Sequence, residues 1–548
     1  MHLKCIQAVS LAFLNICGAL AISSSSPFLG AHSVNLWRLS RERRTKEPAL
    51  FTAQDDSQAA FEAQVNYTEF PEQWFEQPLD HFSDDSRTFK QRYWFSKRHY
   101  QKGGPVFILD GGELSGVDRL PFLDTGILEI LAKATNGLGV VLEHRYYGES
   151  IPVANFSTDS LRWLNNAQAA ADSANFMTRV KFDGVDEDLT APDTPWIYYG
   201  GSYAGARSAH MRVLYPDLVF GAIASSGVTH AALELWEYME VIRHAADPGC
   251  SRRLETSIAA IDNILLNVPR LRRPLKALFG LGGLEHDDDF ANVLSSPLGT
   301  WQEKNWDPGF GSDVFERFCA ALAHPFGART DERSIALPGG LELPITVLNY
   351  ANYIKENYVS KCPQESTIED CFGSHDAEKF QNTSLSETWR AWTFQVCTEW
   401  GYFITAPPAE DAPRIISRLT TLESSSRICR QAYPPGEHFA VPFLPNITAV
   451  NVLGGFYIAA DRLAIIDGEV DPWRPATPHS EYAPVRSDTL FRPFKLIPDG
   501  VHRYDENGLR NMDDEPFEIL NIHKEEIAFV TTWLEDWNKI QKAKMNLM

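Results

Sequence analysis

The run Tyr198-Tyr199-Gly200-Gly201-Ser202-Tyr203-Ala204-Gly205 sets a hydroxyl nucleophile among small residues, after an apolar stretch and before the helix-compatible Ala206 to Leu214. A strand that turns sharply into a helix strains its turn residue and brings neighbouring backbone close, so small residues belong on both sides. Gly200 and Ala204 take those places, and Ala204 departs from strict Gly-x-Ser-x-Gly by one methyl group. Ser202 would also sit at a helix N-terminus, whose dipole favours developing negative charge. A serine nucleophile needs a base, and the base needs an acid. Downstream, Leu463-Ala464-Ile465-Ile466 leads into Asp467-Gly468-Glu469-Val470-Asp471-Pro472-Trp473, and a later apolar run leads into Pro498-Asp499-Gly500-Val501-His502. The order serine, acid, histidine, each partner in a loop just after a strand, suits acyl transfer on a parallel sheet. Ser202 would attack a carbonyl, His502 would take and return the proton, and an aspartate would orient the imidazole. Spacing leaves both Asp467 and Asp471 open as the acid and does not exclude His479. For an oxyanion, the N–H of Tyr203 is one donor, and the loop Gly111-Gly112-Glu113 offers the second through Gly112.

These residues require a frame of strands. Pro105-Val106-Phe107-Ile108-Leu109, Gly139-Val140-Val141-Leu142, Trp196-Ile197-Tyr198-Tyr199 and Val219 to Ala224 are short apolar runs, and Leu161 to Phe176 is helical and rich in alanine. Such alternation implies a parallel sheet covered on both faces. From residue 230 to about 445 the pattern turns helical, and strand-like segments return at Leu463 to Ile466 and Phe494 to Ile497. A final amphipathic helix carries Ile527, Val530, Leu534 and Trp537 on one face. The expected architecture is an α/β-hydrolase fold with a mainly helical, disulfide-containing cap. Residues 66–229 and 450–548 would form the hydrolase domain and 230–449 the cap, placed over the carboxyl ends of the strands.

At 548 residues the chain is long enough for two cores, and its 44% hydrophobic and 22% charged residues are those of a globular protein. A formal charge of −22 argues against nucleic acid or an anionic membrane as partner. Lys4 precedes an apolar run, Ile6 to Ala21, ending in Ala19-Leu20-Ala21; residues 1–21 read as a signal peptide and as no membrane anchor. Residues 22–65, rich in Ser and charge and containing Arg41-Glu42-Arg43-Arg44, read as a propeptide or a disordered leader. Secretion outside the cell or into a vacuolar lumen is the expected destination. Removal of Cys5 and Cys17 would leave Cys250, Cys319, Cys362, Cys371, Cys397 and Cys429, an even set that reads as disulfides. Sequons at Asn66, Asn155, Asn382 and Asn446 fit the same route. No His-Glu-x-x-His, phosphate loop or dinucleotide fingerprint occurs, so no metal or cofactor is expected, and Glu285-His286-Asp287-Asp288-Asp289 reads as a solvated acidic loop.

The motifs Gln77-Pro78-Leu79-Asp80-His81-Phe82, Glu143-His144-Arg145-Tyr146-Tyr147-Gly148-Glu149-Ser150, Gly200-Gly201-Ser202-Tyr203, Gln395-Val396-Cys397-Thr398-Glu399, Asp471-Pro472-Trp473 and Gly500-Val501-His502 stand in one order along the chain. Together, from about residue 70 onward, they resemble the prolyl carboxypeptidase and dipeptidyl peptidase II family of serine peptidases, in the manner of its secreted fungal members. The resemblance implies that Asp471 is the acid. It also implies that Cys397 pairs with Cys429 and Cys250 with Cys319, leaving Cys362 for Cys371, and that the substrates are peptides cut near a terminus beside proline or a small residue. Trp473 would stack on a proline ring, with Ala206 and Tyr402 as further substrate-binding candidates. Ala206 and Glu506 depart from the family's larger apolar and aromatic residues. Glu113 could bind a substrate's amino terminus or be a loop carboxylate in solvent. A homodimer is left open, and so are two other readings: an esterase or lipase of the same fold, and a silent hydrolase-fold binding protein.

Overall fold

Four runs, Val106–Asp110, Leu138–Leu142, Trp196–Gly201 and Val219–Ser225, are buried along their whole length. Strands hidden on both faces read as continuous apolar runs, and that is what these are. They form the centre of an eight-stranded sheet in a computed structural model that describes residue 67 and residues 69–323, 334–337 and 341–547. The segments 1–21 and 22–65 and the sequon at Asn66 lie outside the described residues.

We number the sheet strands β1 (Gln73–Pro78), β2 (Thr88–Ser96), β3 (Val106–Asp110), β4 (Leu138–Leu142), β5 (Trp196–Gly201), β6 (Val219–Ser225), β7 (Leu463–Gly468) and β8 (Phe494–Ile497). Their spatial order is β1-β2-β4-β3-β5-β6-β7-β8. From β4 to β8 all neighbours are parallel, whereas β1 pairs with β2, and β2 with β4, antiparallel. This mixed edge departs from the purely parallel expectation. In β2 the buried positions include Gln91, Arg92 and Ser96, so burial there does not show as an apolar run. Arg92 is kept inside by Glu143, at 2.8 Å.

The final helix, Phe517–Leu547, covers one face of the sheet with Val530 and Trp533 fully buried. Between β6 and β7 lies the helical insertion, including Glu237–Ala245, Pro248–Asn267, Pro269–Leu278, Val314–Ala323, Ile345–Asn357 and Leu422–Ala432. Its cysteines pair as Cys250–Cys319, Cys362–Cys371 and Cys397–Cys429. Two short strand pairs also occur there: Ala232–Glu234 beside Gly401–Phe403, and Ser334–Leu337 beside Leu341–Pro344.

The acidic run at 285–289 is not a solvated loop. Asp287–Ser295 is a helix whose first turn holds three aspartates, where the dipole favours them. Asp289 is buried, its Oδ1 accepting from the Ser374 hydroxyl at 2.5 Å, and Asp288 pairs with Arg427 at 2.7 Å. Insertion and sheet share one apolar cluster that runs from Tyr238, Trp400 and Tyr402 to Tyr203, Ala206, Trp473 and Val501. Asn155, Asn382 and Asn446 are all exposed. Among the described residues no helix is long and apolar enough to cross a membrane.

Candidate active site

β5 ends at Gly201 and the helix Tyr203–Leu214 begins two residues later, leaving Ser202 alone in the turn. Its φ of 64° and ψ of −124° lie where residues other than glycine are rarely found, a conformation that costs about 1–3 kcal/mol. The turn is fastened from both sides. The Ser202 N–H donates to the Ser225 carbonyl at 2.9 Å, and the Ser202 carbonyl accepts from the Ala206 N–H at 3.0 Å. A Cβ at Gly200 would stand 2.1 Å from the Ala204 carbonyl oxygen, so that position must be glycine. The methyl group of Ala204 is accommodated because Gly200 and Gly112, which flank it, lack side chains.

The two downstream loops meet at this turn. Asp471 Oδ2 lies 2.9 Å from His502 Nδ1, and Asp471 Oδ1 accepts the Trp473 N–H at 2.9 Å. Asp471 is fully buried and His502 nearly so. A carboxylate accepts only, so Nδ1 carries the proton. That leaves Nε2 as the lone-pair nitrogen, and it is buried with no hydrogen-bond partner among the described residues. The N–H of Arg503 donates to Ser226 Oγ at 2.9 Å, which pins the histidine loop to the end of β6, next to the Ser225 carbonyl that accepts the Ser202 N–H. Arg503 and Glu506, themselves paired at 3.0 Å, pack on Gly201: a Cβ there would come within 2.0 Å of Glu506 Oε1.

Asp467 and His479, the other open candidates, pair with each other instead. His479 Nδ1 is 2.6 Å from Asp467 Oδ2, and the imidazole stacks on Phe494 at 3.6 Å between centroids. Burial pushes the Asp467 carboxyl above the usual carboxylate range.

Tyr203 opens its helix, so its N–H has no intrahelical partner. Gly112, the candidate for the second oxyanion donor, sits against the elbow with φ +65°, and its N–H donates to Asp110 Oδ1 at 2.9 Å. Asp110 is itself buried and held by Arg207 and Tyr198. An oxyanion would have to share or displace that bond. Glu113 is buried, at 4% exposure, so the alternative of a carboxylate in solvent falls. Trp473 is buried edge-on against Tyr238 and Tyr402, each at 5.4 Å, and lies 6.4 Å from the His502 ring. The Tyr402 hydroxyl donates to the Val228 carbonyl at 2.8 Å. Ala206 lies one turn beyond Ser202 in the same apolar cluster.

The polar network beneath the elbow escaped the residue-by-residue reading. His144 Nδ1 donates to the Arg145 carbonyl at 2.7 Å, and its Nε2 accepts from the Tyr203 hydroxyl at 3.0 Å. Burial, with Arg207 nearby, pushes the His144 imidazole down to about 4 and keeps it neutral. Gln395 Nε2 donates to the same hydroxyl at 2.8 Å, and Gln395 Oε1 accepts from Tyr147 at 2.5 Å. Arg145 forms a buried two-pronged bridge to Asp172. The available signal was the set of polar side chains, Glu143 to Arg145, directly after buried β4. Such groups survive in a core only when fully paired. Elsewhere, His286, Asp288 and His375 have spacing that could suit a metal ion, but the Arg427 guanidinium bonds both His375 and Asp288 there.

A family model described as serine carboxypeptidase S28 matches residues 77–303 and 340–520. The chain belongs to the serine carboxypeptidase S28 family. This S28 chain is 42% identical over 494 residues to a probable extracellular serine carboxypeptidase of Arthroderma benhamiae, covering 85% of this chain and 68% of the relative. It is 27% identical to the serine protease vicPa of Bipolaris victoriae, covering 86% of this chain and 90% of the relative. It is also 27% identical to the thymus-specific serine protease of Mus musculus, with 85% and 88% covered. The S28 chain is thus a serine-type peptidase of the α/β-hydrolase fold.

Proposed function

We propose that the protein is a secreted exopeptidase that removes residues from the carboxyl terminus of peptides, through an acyl-enzyme formed on Ser202 with His502 as base and Asp471 as its orienting acid. The observation that carries this reading is the buried Asp471–His502 pair, whose free Nε2 is held on a loop pinned beside the strained serine. In this mechanism Nε2 takes the Ser202 proton as Oγ attacks the scissile carbonyl, then returns it to the leaving amine. The Tyr203 N–H receives the developing oxyanion, and the His144–Tyr203–Gln395 network fixes that residue in place. Trp473, with Tyr402 and Ala206 near it, supplies an apolar wall for a proline or small side chain at the cleavage site. The family description and the Arthroderma relative support the carboxyl terminus as the point of attack. That relative and the three disulfides support secretion.

The test is digestion of a mixed peptide library by wild type and Ser202→Ala, read by mass spectrometry. The expected result is stepwise loss from carboxyl ends, enriched beside proline or small residues, by wild type alone. Equal cutting by both proteins, or cutting by neither, would remove the proposal.

A further inference from the structure

The short turn Leu298–Glu303 of the insertion grips the acid loop on both sides of Asp471. Trp301 Nε1 donates to the Val470 carbonyl at 3.0 Å, one residue before the acid. Two residues after it, the Trp473 indole N–H donates to Gln302 Oε1 at 2.6 Å, and the Tyr238 hydroxyl donates to the same oxygen at 3.0 Å. An indole N–H can only donate, so the Gln302 amide cannot turn over: its oxygen must face Trp473. The amide nitrogen is therefore left with two N–H groups, buried and without a hydrogen-bond partner among the described residues. Gln302 is 95% buried, being 5% exposed, the same small residual exposure that Trp473 and His502 have. An orphaned buried donor is uncommon in folded proteins and calls for an acceptor.

We propose that Gln302 is a specificity-determining residue whose Nε2 donates to a main-chain carbonyl oxygen of the bound peptide, beside the Trp473 wall. This rests on the peptidase reading above. The acceptor is a neutral carbonyl and not the terminal carboxylate, because the charges that bear on the adjacent Tyr238 hydroxyl are negative, those of Asp471 and Glu303. An anion would meet repulsion there. The insertion thereby reads the peptide backbone within reach of His502, and a small ester lacking that carbonyl gains nothing from it.

Gln302→Glu separates this role from a structural one. The carboxylate still accepts from Trp473 and Tyr238 but has lost both donors. The measurement is the ratio of kcat/KM for an acyl-dipeptide substrate to that for p-nitrophenyl acetate. The expected result for Gln302→Glu is a fall in that ratio of about tenfold, the worth of one hydrogen bond of roughly 1.4 kcal/mol. The fall should be carried by KM and absent when the peptide carbonyl is replaced by a methylene. A ratio equal to wild type, or an equal fall on the methylene analogue, would overturn the proposal and leave Gln302 as a clasp between insertion and sheet. Gln302→Met, which removes both kinds of bond, reads the clasp separately as a change in Tm. Should the wild type cut no peptide, labelling rates replace kinetics. A peptidyl phosphonate should then label Gln302→Glu more slowly relative to a plain alkyl fluorophosphonate, so failure of this assignment and failure of the peptidase reading stay distinct.

Discussion

The end of β7 and the loop that follows it hold two aspartates four residues apart, and each is buried against an imidazole. Asp467 meets His479 at 2.6 Å, and Asp471 meets His502 at 2.9 Å. By chemistry alone the pairs are equivalent. They differ in what lies beyond the ring. His479 comes from the loop that directly follows its partner's strand and is closed over by Phe494. His502 arrives from the next loop, presents an Nε2 with no partner among the described residues, and is fastened through Arg503 to Ser226 at the end of β6, whose Ser225 carbonyl accepts the Ser202 N–H. A carboxylate–imidazole pair becomes a base only where the fold delivers its second nitrogen to a nucleophile. The other is a buried hydrogen-bonded pair, whose desolvation has to be offset by its own geometry.

Substitution at the two acids should break this symmetry most visibly. Asp471→Asn is expected to lower kcat by about 10⁴-fold, because the imidazole loses both its orientation and the partner for its positive charge. Asp467→Asn should lower it by less than about tenfold, since no reacting group is touched. Steady-state kinetics on one peptide substrate decides the matter, and comparable losses would erase the distinction between the pairs.

Removing the imidazole of the second pair should act on stability instead. His479→Ala leaves the Asp467 carboxyl buried without its imidazole partner, and unfolding in denaturant at pH 7 should reveal a loss of about 3 kcal/mol. The loss should shrink at low pH, because the raised carboxyl can then be buried protonated. A pH-independent loss would mean that packing on Phe494, and not charge, holds the residue.

A third buried acid sharpens the contrast. Asp505 accepts from the Tyr199 and Ser225 hydroxyls, with no imidazole bonded to its carboxylate among the described residues, and burial raises it to about 6. Glu506 and Glu526 lie near it, Glu526 is fully buried, and Glu515 is taken by His523 at 2.8 Å. Arg503 is paired with Glu506. A carboxyl raised in the folded state binds its proton more tightly there than in the unfolded chain. Its stabilisation is therefore whole below about pH 4 and lost as pH rises through about 6. Thermal unfolding should accordingly give a higher Tm at pH 5 than at pH 7, and Asp505→Asn should flatten that slope. An unchanged slope would assign the effect to Glu526.

The smallest effect concerns the aromatic wall. Trp473→Ala should raise KM for a proline-containing peptide by about tenfold and matter less for a substrate with alanine in that place. Equal effects on both would remove proline from the specificity assignment.

Much of the site was legible because its constraints are local. A small-residue turn between strand and helix marks Ser202, and loops that follow apolar runs mark His502 and leave Asp467 and Asp471 both open, since these patterns are set by backbone sterics and side-chain burial within a few residues. β1 and β2 were not legible, because Arg92 and Gln91 are buried by partners such as Glu143, which is 51 residues from Arg92. The acidic run at 287–289 misled for the same reason: Arg427 and Ser374, far along the chain, are what hold Asp288 and Asp289.

The sequence by itself marked the small-residue turn around Ser202, the order of its candidate partners, the parallel core and the position of a cysteine-bearing insertion. Only the tertiary structure decided which imidazole each aspartate takes, that the Gly112 N–H belongs to Asp110, and that Gln302 of the insertion reaches the acid loop. The physical reason is one of range. Apolar periodicity and turn sterics act between near neighbours and are written in the local pattern, whereas the pairing of a buried polar group depends on which distant group the fold brings within hydrogen-bond distance.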